Sequence, residues 1–222
     1  MAAASMIEAG GLAVVAFSLG PVQTNSYLIA DVASGAAVVV DPAWEGETIA
    51  AAAARRGWRL SAIWLTHAHF DHFGGAAGVV NAIPQPLSIA LHPDDQALWR
   101  LQGGAPFFGL PEFDPGPEPT VELKRGMELR VGDRLFEVRH TPGHTPGHVV
   151  FVCSEAKMVF CGDLIFESGV GRTDLPGGDW PTLLASIRSQ ILSLPDDFQL
   201  LPGHGSSTTV GRERRTNPFL GG

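Results

Sequence analysis

Cysteine is scarce in this 222-residue chain, which carries only Cys153 and Cys161. Each falls in an apolar, strand-like run, so both read as buried thiols and a disulfide framework is excluded. No apolar run approaches the ~18 residues that span a membrane. The first one, Leu12–Phe17, is short and reads as a strand. The amino terminus, Met1–Met6, has no basic segment, so no signal peptide is expected and the expected location is cytoplasmic. Basic clusters are missing too, and the net charge is −8, which makes nucleic acid an unexpected partner. There is no Gly-x-Ser-x-Gly elbow and no evident Ser-His-Asp arrangement, which argues against a serine hydrolase. No repeat, linker or low-complexity tail stands out, and the length fits one domain, 1-222, with a full core.

What is present is an alternation of short apolar runs and amphipathic stretches. Strands are expected at Leu12–Phe17, Ser26–Ala30, Ala36–Val40, Ala62–Leu65, Leu135–Val138, His148–Cys153, Met158–Cys161 and Phe198–Leu201. Helices are expected at Glu47–Arg56, Gly75–Ala82, Pro93–Leu101 and Pro181–Leu192. Gly57 suits the end of the first helix, and Asp179 with Pro181 suits the start of the last. Strands dominate and helices enter singly. The expected fold is therefore α/β: a four-layer αββα sandwich of two sheets with helices on the outer faces. Gly103–Thr120 is rich in Pro and Gly and holds Phe107, Phe108 and Phe113, which suggests an ordered flap.

The densest chemistry is His67-Ala68-His69-Phe70-Asp71-His72. It follows the apolar Ile63-Trp64-Leu65 and precedes Gly74-Gly75-Ala76, so it is expected on a strand-to-helix turn, where site residues concentrate. In an extended segment His67, His69 and Asp71 share one face while the adjacent His72 can point elsewhere, and such a turn can serve two neighbouring ions. Neutral imidazole and carboxylate are ligands for zinc and similar metals. Three later positions offer more, each after an apolar run: His144, Asp163 and His204. Singly each could be a turn residue; together they complete a site.

The set Thr-His-x-His-x-Asp-His, Pro-Gly-His-Thr-x-Gly-His, Gly-Asp and Pro-Gly-His resembles the metallo-β-lactamase superfamily. Within it the chain looks most like the glyoxalase II (hydroxyacylglutathione hydrolase) branch, and nearest to its short YcbL-type members. The matching motifs run from near Thr66 to Asn217-Pro218-Phe219. The resemblance implies two mixed sheets and two divalent metal ions, zinc first, with iron or manganese also suited to a ligand set without Cys. It assigns His67, His69 and His144 to one ion, Asp71, His72 and His204 to the other, and Asp163 to both. Arg172, in Gly169-Val170-Gly171-Arg172-Thr173-Asp174, matches a basic residue that contacts glutathione; a structural pair with Asp174 is the other reading. Unlike conventional glyoxalase II, the chain stops soon after His204 and has Gly205-Ser206 in place of an aromatic contact, so the thiol carrier stays open.

The chemistry implied is thioester hydrolysis, for example of S-lactoylglutathione, a small-molecule substrate. Asp71 and Asp163 bring about −2 against about +4 from the ions, leaving a positive site. Water on such ions titrates near ~7 rather than roughly 15.7. A thiol leaves with a pKa of roughly 8.5 and needs no strong acid. The alternatives are a persulfide dioxygenase with a single iron and another ester or thioester hydrolase of this fold. β-Lactamase activity is disfavoured by the ligand set, and nuclease activity by the lack of room for an added domain. Asp41 and His148 are each open to two readings, orienting a ligand or serving a local turn or strand start. His140 is expected to be structural, and His92 to lie at the surface at a helix start.

Overall fold

A computed structural model describes residues 5–221. Met1–Ala4, on which the leader-free reading partly rests, lie outside the described residues. One sheet holds β1 (Ser5–Ala9), β2 (Leu12–Leu19), β3 (Thr24–Asp31), β4 (Ala36–Val40), β5 (Arg59–Trp64), β6 (Ser88–Leu91) and β7 (Val121–Glu122), in that spatial order. Its β1–β4 half is antiparallel and its β4–β7 half parallel. The other sheet holds β8 (Glu128–Val131), β9 (Arg134–His140), β10 (Val149–Cys153), β11 (Met158–Gly162), β14 (Gln199–Pro202) and β15 (Thr208–Thr209). It is mixed as well, because β11 and β14 run parallel while the other pairs are antiparallel. β12 (Ile165–Phe166) and β13 (Gly169–Val170) form a separate small hairpin.

Alternation along the strands builds the layers. Val14 of β2, Val38 and Val40 of β4, and Phe151 and Cys153 of β10 enter the core between the sheets. Val15 and Val39, one residue along, face out toward Ile49, Ala52 and Val79 on α1 (Gly46–Arg55) and α3 (Ala76–Ala82). Val150 and Val152 face out toward Leu183 of α5 (Trp180–Ser186) and Ile187 and Ile191 beyond it. Both faces of each central strand are covered, so these strands read as continuous apolar runs. The order helix, sheet, sheet, helix is the four-layer αββα fold expected. Cys153 and Cys161 are buried and free, and burial pushes the Cys161 thiol up.

Several elements differ from expectation. Pro93–Leu101 is two pieces, a 3-10 turn at Pro93–Asp95 and α4 (Gln96–Arg100). The last predicted helix is α5 followed by a π turn at Ile187–Ile191. Asp179 caps α5 by accepting from the Thr182 N–H at 2.9 Å, and Gly57 turns the chain after α1 at φ 68°. The flap starts as a 3-10 segment, Gln102–Phe108. α6 (Val210–Thr216), β1 and β8 lack the apolar periodicity that would have announced them. Among the described residues, no helix is long and apolar enough to cross a membrane.

The topology decides where chemistry collects. β4, β5 and β6 point the same way, and so do β9, β11 and β14. Asp41, His67, Asp95, His144, Asp163 and His204 each follow the carboxyl end of one of these strands. Side chains far apart in sequence thus meet along one edge of the sandwich, as ligand sites do in open α/β sheets.

Candidate metal centre

The cluster His67–His72 is half loop and half helix. His67 and His69 lie on the loop after β5, while Asp71 and His72 lie on a single helical turn, α2 (Phe70–Phe73). The strand-to-helix turn is as expected, while the extended reading that put Asp71 on one face with His67 and His69 is corrected. The helical turn brings Asp71 and His72 to the same site, with His72 Nε2 3.6 Å from Asp71 Oδ2. Six residues of polar and aromatic sequence do not distinguish a short turn from a strand end.

Two triads result. Ligand atoms of His67, His69 and His144 lie within 4.8 Å of one another, and so do those of Asp71, His72 and His204. Asp163 lies between them. Its Oδ1 is 3.3 Å from His72 Nε2, and its Oδ2 is 3.5 Å from His204 Nε2 and 3.7 Å from His144 Nε2. All seven residues of the predicted set converge.

The imidazoles are held in defined tautomers by their outer nitrogens. Thr66 Oγ1 donates to Asp41 Oδ2 at 2.6 Å, so it accepts from His67 Nδ1 at 3.0 Å, and His67 Nε2 carries a lone pair. His72 Nδ1 donates to Asp41 Oδ2 at 2.9 Å, which turns its Nε2 toward the two aspartates. His144 Nδ1 donates to the Arg172 carbonyl at 2.7 Å and turns Nε2 toward His69 Nδ1, 2.9 Å away. His148 is different: its Nε2 accepts from the Asp163 N–H at 3.2 Å and its Nδ1 meets Thr141 Oγ1 at 2.9 Å. It fixes the Asp163 backbone and has no nitrogen left for the site. Asp41 and His148 are thus both orienting residues.

The inner atoms lack partners. Among the described residues, His67 Nε2, His72 Nε2 and Asp163 Oδ1 are buried polar atoms with no hydrogen bond. Each such atom costs roughly 1–3 kcal/mol when left unsatisfied. Lone pairs aimed at a common centre are what a cation would satisfy, so the residues present fit metal ions. Burial, with His144 beside it, pushes the His69 imidazole down to about 3, and burial likewise drives His67 down, so both stay neutral. Burial alone would raise Asp163, yet His72, His144 and His204 hold its carboxyl far below the usual range. Neutral imidazoles and ionised carboxylates are the forms that bind metal.

A cleft of about 230 Å³ opens on this cluster, lined by His69, Asp71, His144, Asp163 and His204 together with Val22, Phe108, Arg172 and Leu175. Arg172 is exposed and paired in bidentate fashion with Asp174 at 2.7 Å for both contacts. The structural pair is therefore real, while the side chain also lines the cleft. Phe107 and Phe108 are exposed on the flap, whereas Phe113 packs on Trp44 and Phe73.

Several positioning residues escaped the sequence reading, Asp95 foremost among them. Asp95, fully buried, accepts from Ala68 N–H at 3.1 Å and Thr145 Oγ1 at 2.7 Å through Oδ2, and from Gly147 N–H at 2.7 Å through Oδ1. It ties the loop of His67 and His69 to that of His144. Its sequence neighbourhood, Pro93-Asp94-Asp95, looks like an ordinary acidic helix start. His92 is a correction: it starts the helical turn as expected but is buried, stacked on His140 at 4.2 Å. His140 is structural, with Nε2 bonded to the Pro146 carbonyl at 2.9 Å.

The chain matches the family described as Metallo-beta-lactamase superfamily over residues 19–204. It is 39% identical to "Hydroxyacylglutathione hydrolase GloC" of Haemophilus influenzae over 198 residues, 89% of this chain and 93% of that protein. Two solved structures are similar along nearly their whole length. BLEG-1 B3 metallo-beta-lactamase superposes with a TM-score of 0.86 at 37% identity, covering 93% of this chain and 99% of that one. TTHA1623, in a di-iron-bound form, superposes with a TM-score of 0.82 at 44% identity, covering 92% and 99%.

Proposed function

The chain belongs to the metallo-beta-lactamase superfamily, and from that premise we propose that it is a two-metal thioester hydrolase of the hydroxyacylglutathione hydrolase type. The observation that carries this reading is Asp163, a single carboxylate flanked by two ligand triads at the mouth of one cleft. In this reading His67, His69 and His144 would hold one ion, Asp71, His72 and His204 the other, and Asp163 would serve both. Zinc is proposed, with iron or manganese equally compatible with nitrogen and oxygen ligands. The di-iron form of the similar TTHA1623 is in keeping with that tolerance. Such ions, when bound, acidify water and polarise a carbonyl.

The protein's own groups do the positioning. Thr66 and Asp41 aim His67 and His72, the Arg172 carbonyl aims His144, and Asp95 locks the two loops together. Thr24 Oγ1 donates to Asp71 Oδ2 at 2.9 Å and orients that carboxylate, which burial would raise but His72 and His204 hold below its ordinary range. In hydrolysis the water oxygen bonds to the carbonyl carbon and the carbon–sulfur bond breaks. Sulfur leaves with the electron pair and takes up the proton that the water gives up, while Asp71 and Asp163 stay ionised as ligands. The substrate proposed is a small-molecule thioester, glutathione-linked in one version, with Arg172 contacting the carrier. Nucleic acid and membrane are not among the proposed partners, and a cytoplasmic setting and single-domain action complete the reading.

The test is a set of three assays on metal-counted protein. S-lactoylglutathione hydrolysis is expected to outrun the oxygenase and β-lactam reactions, with about two ions per chain. Oxygen uptake with glutathione persulfide and one iron per chain would overturn the reading in favour of a dioxygenase. Faster turnover of a chromogenic β-lactam, the activity suggested by the name of BLEG-1, would overturn it in favour of a lactamase.

A further inference from the structure

Beside the metal cleft lies a second cavity of about 330 Å³, walled by Leu98, Leu101, Phe107, Phe108 and Leu175, with His69 at its inner end. His69, Phe108 and Leu175 line both cavities, so the two adjoin. Leu101, Phe107 and Phe108 leave 60%, 77% and 46% of their surface exposed, although large apolar side chains are normally covered. The wall is anchored. Gly103 has φ 61°, and a side chain there would lie 2.2 Å from the Phe70 nitrogen, so the flap is seated directly on α2. The Phe108 ring also packs on Phe70, with centroids 5.5 Å apart. α2 carries Asp71 and His72, which places the apolar wall at a fixed offset from the reacting centre.

Resting on the thioester reading above, we propose that this cavity binds the acyl group of the substrate and that the preferred acyl group is an apolar chain rather than the small, hydroxylated lactoyl group. Of the two arms of a thioester, the thiol carrier is the polar one. Among the described residues, Arg172 is the one arginine or lysine lining either cavity, and it stands on the cleft side, so the carrier runs there. The acyl arm then passes His69 into the apolar pocket. Each methylene buried there favours the longer chain.

Steady-state kinetics with S-lactoyl-, S-butyryl- and S-hexanoylglutathione test this. kcat/KM is expected to rise along the series, with hexanoyl ahead of lactoyl by about tenfold or more. Leu101→Glu, a change at an exposed position, is expected to bring that ratio back toward unity. Lactoyl turnover equal to or above hexanoyl overturns the acyl pocket while leaving the hydrolase reading intact. So does a Leu101→Glu variant that alters both substrates alike, which would mark the cavity as a seat for the flap itself. A rate that follows apolarity of the thiol, in S-lactoyl esters of hexanethiol against glutathione, reassigns the pocket to the carrier and overturns the proposal. Absence of hydrolysis for every thioester would instead sink the underlying reading.

Discussion

Asp163→Ala is expected to remove both ions and lower kcat/KM by about a thousandfold or more, equivalent to about 4 kcal/mol of transition-state stabilisation. The reason is geometric. Asp163 sets its oxygens against the inner nitrogens of both triads, 3.3 Å from His72 Nε2 and 3.7 Å from His144 Nε2. Without it, each site keeps three neutral or singly charged donors and the two ions face each other with no anion between them. The repulsion of two divalent charges at short range is then uncompensated. Metal analysis after dialysis, with circular dichroism to verify folding, reads the result. A folded variant that keeps both ions and its turnover would refute the bridging role.

Gly203→Ala is the second large effect expected, and it comes from one methyl group. A side chain at Gly203 would lie 2.2 Å from Asp163 Oδ1 and 2.6 Å from His72 Cε1. The backbone has nowhere to retreat: its N–H donates to the Gly162 carbonyl at 2.8 Å, and its carbonyl accepts from Asn25 N–H at 2.7 Å. The methyl must therefore turn Asp163 or His72 out of line. Displacing ligand orientation costs about 10–100-fold in metal affinity, and kcat/KM is expected to fall by about a hundredfold. Competition with a chromophoric chelator measures the affinity. Wild-type affinity in the variant would show that the inner atoms tolerate displacement and that the centre is looser than described.

The site was legible in the sequence where its donors are dense or follow apolar runs. Four candidate ligands between His67 and His72 leave little structural explanation, and His144, Asp163 and His204 mark the ends of buried strands. The central strands were legible because covering both faces demands unbroken apolar residues. Edge strands were not. β8 alternates exposed Glu128 and Arg130 with more buried neighbours, and its four residues carry too little pattern. Asp95 was invisible because its role depends on two loops brought together by tertiary structure, with Thr145 and Gly147 some fifty residues downstream. The Thr24–Asp71 bond joins β3 to α2 in the same way. His92 was misplaced because its burial comes from stacking on His140 at the end of β9, a contact across the two sheets that no local pattern announces.

Anomalous diffraction from crystals of the chain, stripped of metal and reloaded with zinc, addresses the two-metal centre directly. Two peaks are expected, one among His67, His69 and His144 and one among Asp71, His72 and His204, with the Asp163 carboxylate between them. A single peak at saturating zinc would contradict the two-metal account.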